Sequence, residues 1–349
     1  MNKYLSILTL SIFLLACQAQ SIPPYNNQAM LQGLNETVIE KIAFGSCNRH
    51  DMEQPMWQFI DKNEADLWIW LGDIIYGDTR DMKVLKKKYI LQKKNKEYKK
   101  FGTQTGIIGI WDDHDYGENN AGKEYPKRKE SKDLLFEFLE VPRSNPASKR
   151  EGAYQSYSFG PEGKRIKVIL LDCRYFSDKP QRDENGFDIP DPSLDILGKA
   201  QWKWLHEELK NSTADIHIIG NGIQVIPEEH PYEKFANFPT TRKKLFDMFE
   251  TFKPKNLILL SGDRHIAEFS KISLENYPHD IYEITSSGLT HSFDSFEGEE
   301  NKYRVGNVVS QLNFGLLKFD WQSKSVNISM EIRGLNNDIL QFQQIELAY

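Results

Sequence analysis

Ile107-Ile108-Gly109-Ile110-Trp111-Asp112-Asp113-His114-Asp115-Tyr116 is an apolar run that ends in three carboxylates and an imidazole within four residues. A short apolar run reads as a buried strand, and the acids after it put negative charge at the end of a buried element. Buried charge is costly unless it is paired or bound to metal, so the run reads as part of a metal site.

The same arrangement recurs along the chain. Ile42-Ala43-Phe44 is followed by Gly45-Ser46-Cys47-Asn48, and Leu67-Trp68-Ile69-Trp70-Leu71 by Gly72-Asp73-Ile74-Ile75-Tyr76-Gly77-Asp78. Val168 to Leu171 leads into Asp172-Cys173-Arg174, Ile216 to Ile219 into Gly220-Asn221-Gly222, and Leu257 to Leu260 into Ser261-Gly262-Asp263-Arg264-His265. In open α/β sheets ligands bind outside the carboxyl ends of the strands, so these motifs converge on one crevice. Each has a plainer reading alone. Gly72-Asp73 is a turn pair, Cys47 a small buried hydrophobe, Tyr76 half-buried packing and His265 a satisfied core histidine. The joint pattern outweighs them.

Apolar runs near 38–44, 67–71, 107–111, 166–171, 215–220 and 257–261 predict strands. Stretches near 53–63, 81–100, 131–139, 198–210 and 240–251 predict helices. The alternation implies an α/β protein with a largely parallel central sheet. Runs near 281–285, 313–320, 326–333 and 339–347 alternate with polar residues and imply an antiparallel flank or second sheet. No linker interrupts the chain after residue 37, so 38–349 reads as one domain.

The 349 residues carry a net charge of −6, which argues against a general nucleic-acid binder. Residues 1–16 read as a signal peptide: Lys3 precedes an apolar stretch, Leu5 to Leu15, too short to span a bilayer. Leu14-Leu15-Ala16-Cys17 resembles a bacterial lipobox, in which Cys17 is lipidated; the plainer alternative is cleavage near Ala16 or Ala19. The expectation is an exported bacterial lipoprotein, periplasmic or anchored at the outer membrane or cell surface through Cys17. Gln18 after the cysteine favours outer-membrane sorting in a Gram-negative cell. Residues 17–37 are polar, contain Pro23-Pro24 and read as a tether. The lysine-rich stretch from Lys83 to Lys100 reads as a solvated helix face, with a lid for anionic substrate or membrane phosphate as the alternative.

The blocks Gly45-Ser46-Cys47, Leu71-Gly72-Asp73-Ile74-Ile75-Tyr76, Trp111-Asp112-Asp113-His114-Asp115 and Leu260-Ser261-Gly262-Asp263-Arg264-His265 resemble the alkaline phosphatase D (PhoD-like) family of calcineurin-like metallophosphoesterases over about residues 38–333. The resemblance implies a double β-sandwich flanked by helices, and a site holding Fe3+ with one or two Ca2+; other divalent metals are compatible. It implies that Cys47 and Tyr76 bind iron, Asp73 bridges the metals, Asp113 replaces an amide ligand, Asp263 and His265 close the site, and Asn221 adds an oxygen. The residue chemistry agrees: thiolate and phenolate suit a highly charged iron, and clustered oxygens suit a hard cation. Cys47 is then no disulfide partner, and Cys173 is a free, buried thiol. Asp112 and Asp115 are read as orienting neighbours rather than as ligands.

His114, flanked by Asp113 and Asp115, is the expected acid, since those carboxylates favour its protonated form. Arg174 and Arg264 offer planar forks for phosphate, with salt bridges to nearby acids as the alternative. The expected function is hydrolysis of phosphate mono- and diesters by a metal-activated hydroxide, in a monomer. Preference for diesters such as phospholipid head groups or wall polymers is one alternative, and a phosphate-binding surface lipoprotein with little turnover is another. The chain departs from better-known members in lacking a twin-arginine pair and an extra N-terminal β-domain, and in reading Glu118-Asn119-Asn120 where Asn-Asp is more usual.

Overall fold

The computed structural model describes residues 21–348. Residues 1–16, expected as a signal peptide, and Cys17 lie outside them. Thirteen strands are described: β1 (Lys41–Gly45), β2 (Leu67–Leu71), β3 (Gly106–Ile110), β4 (Gln155–Phe159), β5 (Ile166–Leu170), β6 (Ile216–Gly220), β7 (Leu257–Ser261), β8 (Ala267–Ile272), β9 (Ile281–Ser286), β10 (Arg304–Val309), β11 (Phe314–Trp321), β12 (Ser325–Arg333) and β13 (Ile339–Ala348). They form a six-stranded sheet, β13-β12-β11-β1-β2-β3, and a seven-stranded sheet, β10-β8-β9-β7-β6-β5-β4. The helices are α1 (Asn27–Gly33), α2 (Trp57–Asp61), α3 (Met82–Lys94), α4 (Lys96–Gly102), α5 (Asp113–Tyr116), α6 (Arg128–Leu139), α7 (Pro146–Lys149), α8 (Gly198–Lys210) and α9 (Pro239–Phe252).

The largely parallel central sheet expected from the alternation is divided between two mixed sheets, the two-sheet arrangement that the resemblance implies. β1, β2 and β3 run parallel in one, and β5, β6, β7 and β9 in the other. A buried strand has the same apolar character whichever sheet it joins, so periodicity does not reveal the division. The period of two divides the side chains of the second sheet. Ile166, Val168, Leu170, Ile218 and Leu260 share a core with the first sheet. Ile169, Leu171, Ile219, Leu257 and Leu259 face the other way, onto Trp202, Leu205 and Leu209 of α8 and Leu245 and Phe249 of α9. A sheet covered on both faces needs apolar residues at consecutive positions, which is why β2, β3, β5, β6 and β7 are buried throughout. The first sheet is covered by an aromatic cluster. Trp57 of α2 packs edge-on against Trp68 and Trp70 of β2, and Tyr98 and Phe101 of α4 close around it.

Residues 21–37 are not a free tether. Ile22, Tyr25 and Leu31 are buried in the main core, and α1 packs beside β3. The Asn27 side chain works as a substitute strand for the edge of the first sheet. Its Oδ1 accepts from Ile107 N–H at 2.7 Å, and its Nδ2 donates to Ile107 O at 2.7 Å and Leu139 O at 2.9 Å. Glu140 fastens the same segment, accepting from the backbone N–H groups of Tyr25 and Asn27. Polar composition suggests a spacer because the anchoring apolar residues are few and widely separated.

The lysine-rich stretch forms α3 and α4, broken at Asn95, whose side chain caps α4. Two lysines depart from a purely solvated face. Lys93 is buried on Glu140 at 2.8 Å, and Lys88 Nζ donates to Tyr76 O at 2.9 Å and Gly77 O at 2.8 Å, bracing the loop after β2. Among the described residues no helix is long and apolar enough to cross a membrane.

Replacing Asn27 by Ala leaves the backbone groups of Ile107 and Leu139 buried without partners. A stability loss of about 3 kcal/mol is expected in a urea titration. A loss below about 0.5 kcal/mol, typical of an unimportant surface position, would contradict the substitute-strand role.

Candidate metal centre

The loops at the carboxyl ends of β1, β2, β3 and β7 meet where the sheets abut. Cys47, Asp73, Asp263 and His265 all adopt left-handed backbone, with φ of 58°, 50°, 65° and 54°. Each such non-glycine residue costs about 1–2 kcal/mol, and strain of this kind concentrates at functional sites. Gly72, at φ 89°, turns the chain against the next loop; a Cβ there would lie 2.3 Å from Asp112 Cβ. A Cβ on Gly222 would lie 2.3 Å from Asp112 Oδ1. Both glycines therefore let backbone close around Asp112.

The donor atoms form three overlapping groups, each with its atoms within 4.8 Å of one another: Cys47, Asp73 and His265; Asp73, Asp113 and His114; Asp112, Asp113 and Asp263. Asp73 joins the first to the second, and Asp113 the second to the third. Asp73 Oδ2 lies 3.5 Å from Cys47 Sγ and 3.2 Å from the Tyr76 hydroxyl. Burial, then the charge of Asp113, pushes the Asp73 carboxyl well above its ordinary range. Burial and Asp113 also raise Asp263, to about 7, and burial followed by Asp73 raises the Cys47 thiol. Asp73 Oδ1 and Asp112 Oδ2 are buried with no hydrogen-bond partner. Mutually repelling acids, a buried thiol and orphaned carboxylate oxygens are what a bound cation would satisfy, so the residues fit a metal centre of mixed sulfur, nitrogen and oxygen donors.

His114 lies against this group, its ring stacked on Tyr76 with centroids 4.0 Å apart. Burial alone would lower its pKa. The hydrogen bond from Nδ1 to Asp78 Oδ1, 2.7 Å long, and the charges of Asp113 and Asp73 overcome burial and raise it to about 10. The expectation that Asp115 helps is corrected: Asp115 accepts from the backbone N–H groups of Asp112, Asp73 and Ile74, and so ties the loops after β2 and β3 together. Asp78 plays the part instead.

The arginines separate. Arg174 is buried with Nε on Asp112 Oδ1 at 2.6 Å and both terminal nitrogens on Glu233 at 3.0 Å. This corrects its expected role at the substrate, because its fork is filled by carboxylates. Arg264 lines a cleft of about 350 Å3 together with Asp73, Asp113, His114, Asp263 and His265. One terminal nitrogen pairs with Glu299, its guanidinium lies 4.3 Å from the Tyr232 ring centroid, and its Nε has no partner. Asn221 reaches the crevice with its amide the other way round from expectation. The oxygen accepts from Ile223 N–H at 3.1 Å and the nitrogen is unpartnered, so in this orientation it offers no oxygen to a cation. Cys47 and Cys173 are both free and buried.

Asp78, Glu233, Glu299 and His291 do not stand out in the sequence as site residues. Asp78 belongs to the block after β2 and is visible there. Glu233 and Glu299 sit in long loops, and His291 follows the carboxyl end of β9 behind small and apolar residues with no acid block to mark it, so only the fold brings the three in.

The PhoD-like phosphatase family matches residues 42–329. Alkaline phosphatase D of Bacillus subtilis (strain 168) is 22% identical over 304 residues, 71% of this chain and 48% of that protein. The chain thus spans about half the length of that curated relative. A solved structure of PhoD superposes with a TM-score of 0.70 at 15% identity, covering 90% of this chain and 73% of that one. A dimetal phosphatase from Danio rerio superposes with a TM-score of 0.56 at 12% identity, covering 90% of this chain and all of that one. These superpositions bear out the two-sheet calcineurin-like fold.

Arg174→Met strands the Asp112 and Glu233 carboxylates in the interior. It is expected to cost about 3–5 kcal/mol of stability by denaturant unfolding. Arg264→Met, which strands the single carboxylate of Glu299 where Arg174→Met strands two, is expected to cost less. The reverse order would overturn the assignment of Arg174 to structure.

Proposed function

The chain belongs to the PhoD-like phosphatase family, and from that membership we propose that it is a metal-dependent phosphoric ester hydrolase acting on phosphate mono- and diesters. The observation that carries this reading is the chain of donor groups linked through Asp73 and Asp113 on the wall of a cleft that also holds His114 and Arg264. Cys47, Asp73, Tyr76 and His265 would hold Fe3+, the ion suited to thiolate and phenolate; Asp113 and Asp263 would hold one or two Ca2+ or another hard divalent ion, joined by Asp112, which the sequence suggested only as an orienting neighbour, through the Oδ2 that no protein group takes. When bound, the ions supply charge neutralisation at the phosphoryl oxygens and a water that is nucleophilic near neutral pH.

The protein's own groups do the rest. Asp78 holds His114 through Nδ1, and the imidazolium gives its Nε2 proton to the departing alkoxide. Arg264, which lines the cleft, offers its guanidinium to a non-bridging phosphoryl oxygen. Glu299 and Tyr232 hold the guanidinium in place.

Preference for diesters has one specific support. A second cavity of about 670 Å3 adjoins the cleft and shares Tyr232 and Phe293 with it. It has room for a second ester substituent between the rings of Tyr232, Phe293 and Phe296 and the carboxylates of Glu297, Glu299 and Glu300. The lipobox-like Leu14-Leu15-Ala16-Cys17 supports a protein exported and held at a membrane by a lipid on Cys17, acting there on phosphate esters outside the cytoplasm.

Steady-state kcat/KM for a chromogenic phosphodiester and its monoester tests the reading. Both are expected to be hydrolysed, the diester better. Chelation abolishes turnover, and Asp73→Asn lowers kcat/KM about 100-fold or more, as loss of several kcal/mol of charge stabilisation requires. Full activity after chelation and in Asp73→Asn would overturn the metal mechanism, and tight phosphate binding without turnover of either ester would leave a binding protein. His114→Ala is expected to lower kcat about 10²–10⁴-fold for an alkyl ester. A nitrophenyl ester, whose leaving group needs little protonation, should lose much less. Equal losses would remove His114 from the acid role.

A further inference from the structure

The Tyr76 oxygen is crowded by nitrogen. His291 Nε2 lies 2.9 Å from it, His265 Nε2 3.2 Å and Asp73 Oδ2 3.2 Å. A phenol carries one proton and can donate to one of these neighbours; as a metal-bound phenolate it can donate to none. His265 and Asp73 group with Cys47 around a common point and would face a cation. His291 belongs to no such group of donors, so it needs another reason to point at Tyr76.

The far side of the His291 ring supplies the reason. Nδ1 lies 3.0 Å from Thr290 Oγ1, and that oxygen accepts from Arg49 N–H at 2.8 Å. The other neighbour of the Thr290 hydroxyl is Cys47 O at 3.1 Å, which also receives Thr290 N–H at 3.3 Å. The hydroxyl can therefore turn to Nδ1 without leaving that carbonyl bare. With Nδ1 accepting, the ring proton sits on Nε2 and faces the Tyr76 oxygen. Around the phenol ring, His114 stacks on it, the His291 ring meets it edge-on at 5.2 Å, and the Arg49 guanidinium lies 5.5 Å from its centroid.

We infer that His291 is a positioning residue of the metal centre: its Nε2–H donates to the Tyr76 oxygen when Tyr76 serves as a metal ligand, and Thr290, by turning its hydroxyl from Cys47 O to Nδ1, supports the tautomer that makes this bond. The inference rests on the metal-centre reading above. A donor to a ligand atom fixes that atom's direction and withdraws charge from it, which tunes the ligand and helps retain the metal.

Titration of the metal-free protein with ferric iron tests the role without measuring turnover. Wild type is expected to develop a phenolate-to-iron absorption band that is lost in Tyr76→Phe. His291→Phe keeps the ring shape and removes the donor. Its band should move to longer wavelength, because the phenolate holds its electrons less tightly, and iron affinity should fall about 10–100-fold. His291→Gln, whose amide N–H can still donate, should recover part of both, and Thr290→Val should move the band the same way by less. Identical band and affinity in wild type and His291→Phe would overturn the role of His291 and leave the centre standing. A His291→Gln protein that is folded by circular dichroism yet as impaired as His291→Phe would overturn that role too. A wild type that takes up no ferric ion would overturn the iron assignment, and the role of His291 with it.

Discussion

Asp73, Asp112, Asp113 and Asp263 crowd carboxylates into one crevice, and their repulsion is the constraint around which the rest of the structure is arranged. Asp73, Asp112 and Asp113 are almost wholly removed from water. Arg174 offsets part of the charge through Asp112, and two carboxylate oxygens remain without partners. A fold keeps such a cluster only if something else holds the loops together. Asp115 does this with three backbone N–H groups from two loops. Lys88 does it from α3, through the carbonyls of Tyr76 and Gly77. The left-handed turns at Cys47, Asp73, Asp263 and His265 add further strain at the same place. Stability is given up locally for a site preorganised for cations.

The two sheets supply the stability that the site consumes. Strands β2, β3, β5, β6 and β7 are buried along their whole length, and each fully buried aliphatic side chain contributes about 1.5–3 kcal/mol relative to exposure. The apolar strands end where the acids begin, so the strongest part of the core directly supports its most costly part. Glycine at 72 and 222 lets the loops close on Asp112 without a side chain in the way. The aromatic cluster around Trp57 anchors β2, the strand that delivers Asp73 and Tyr76.

Strand ends are legible in the sequence because two local signals coincide there, an apolar run and an abrupt polar motif. The six strands expected from apolar runs are present within a few residues, and α8 matches over 198–210. Strands β4, β8 and β10 are hidden because polar residues and a glycine break their apolar character. The segment before residue 38 is disguised in a different way. A handful of apolar residues among polar ones anchors it, and its principal bond is made by the side chain of Asn27 to the edge of β3. Arg174 is ambiguous in sequence because phosphate and carboxylate demand the same fork. Only the approach of Glu233 from another loop resolves it.

What the sequence determined by itself is therefore local and chemical: which segments are buried strands, which residues stand at their ends, and that a thiol, a phenol, imidazoles and carboxylates gather there. These follow from periodicity and from the cost of burying charge, both properties of short stretches. The tertiary structure alone decided how the strands divide between two sheets, which acid holds His114, which arginine keeps a free nitrogen, and that His291 meets Tyr76. Each of these is a contact between residues far apart in the chain. Its energy depends on distance in space, and linear order carries no record of that until the sheets have packed.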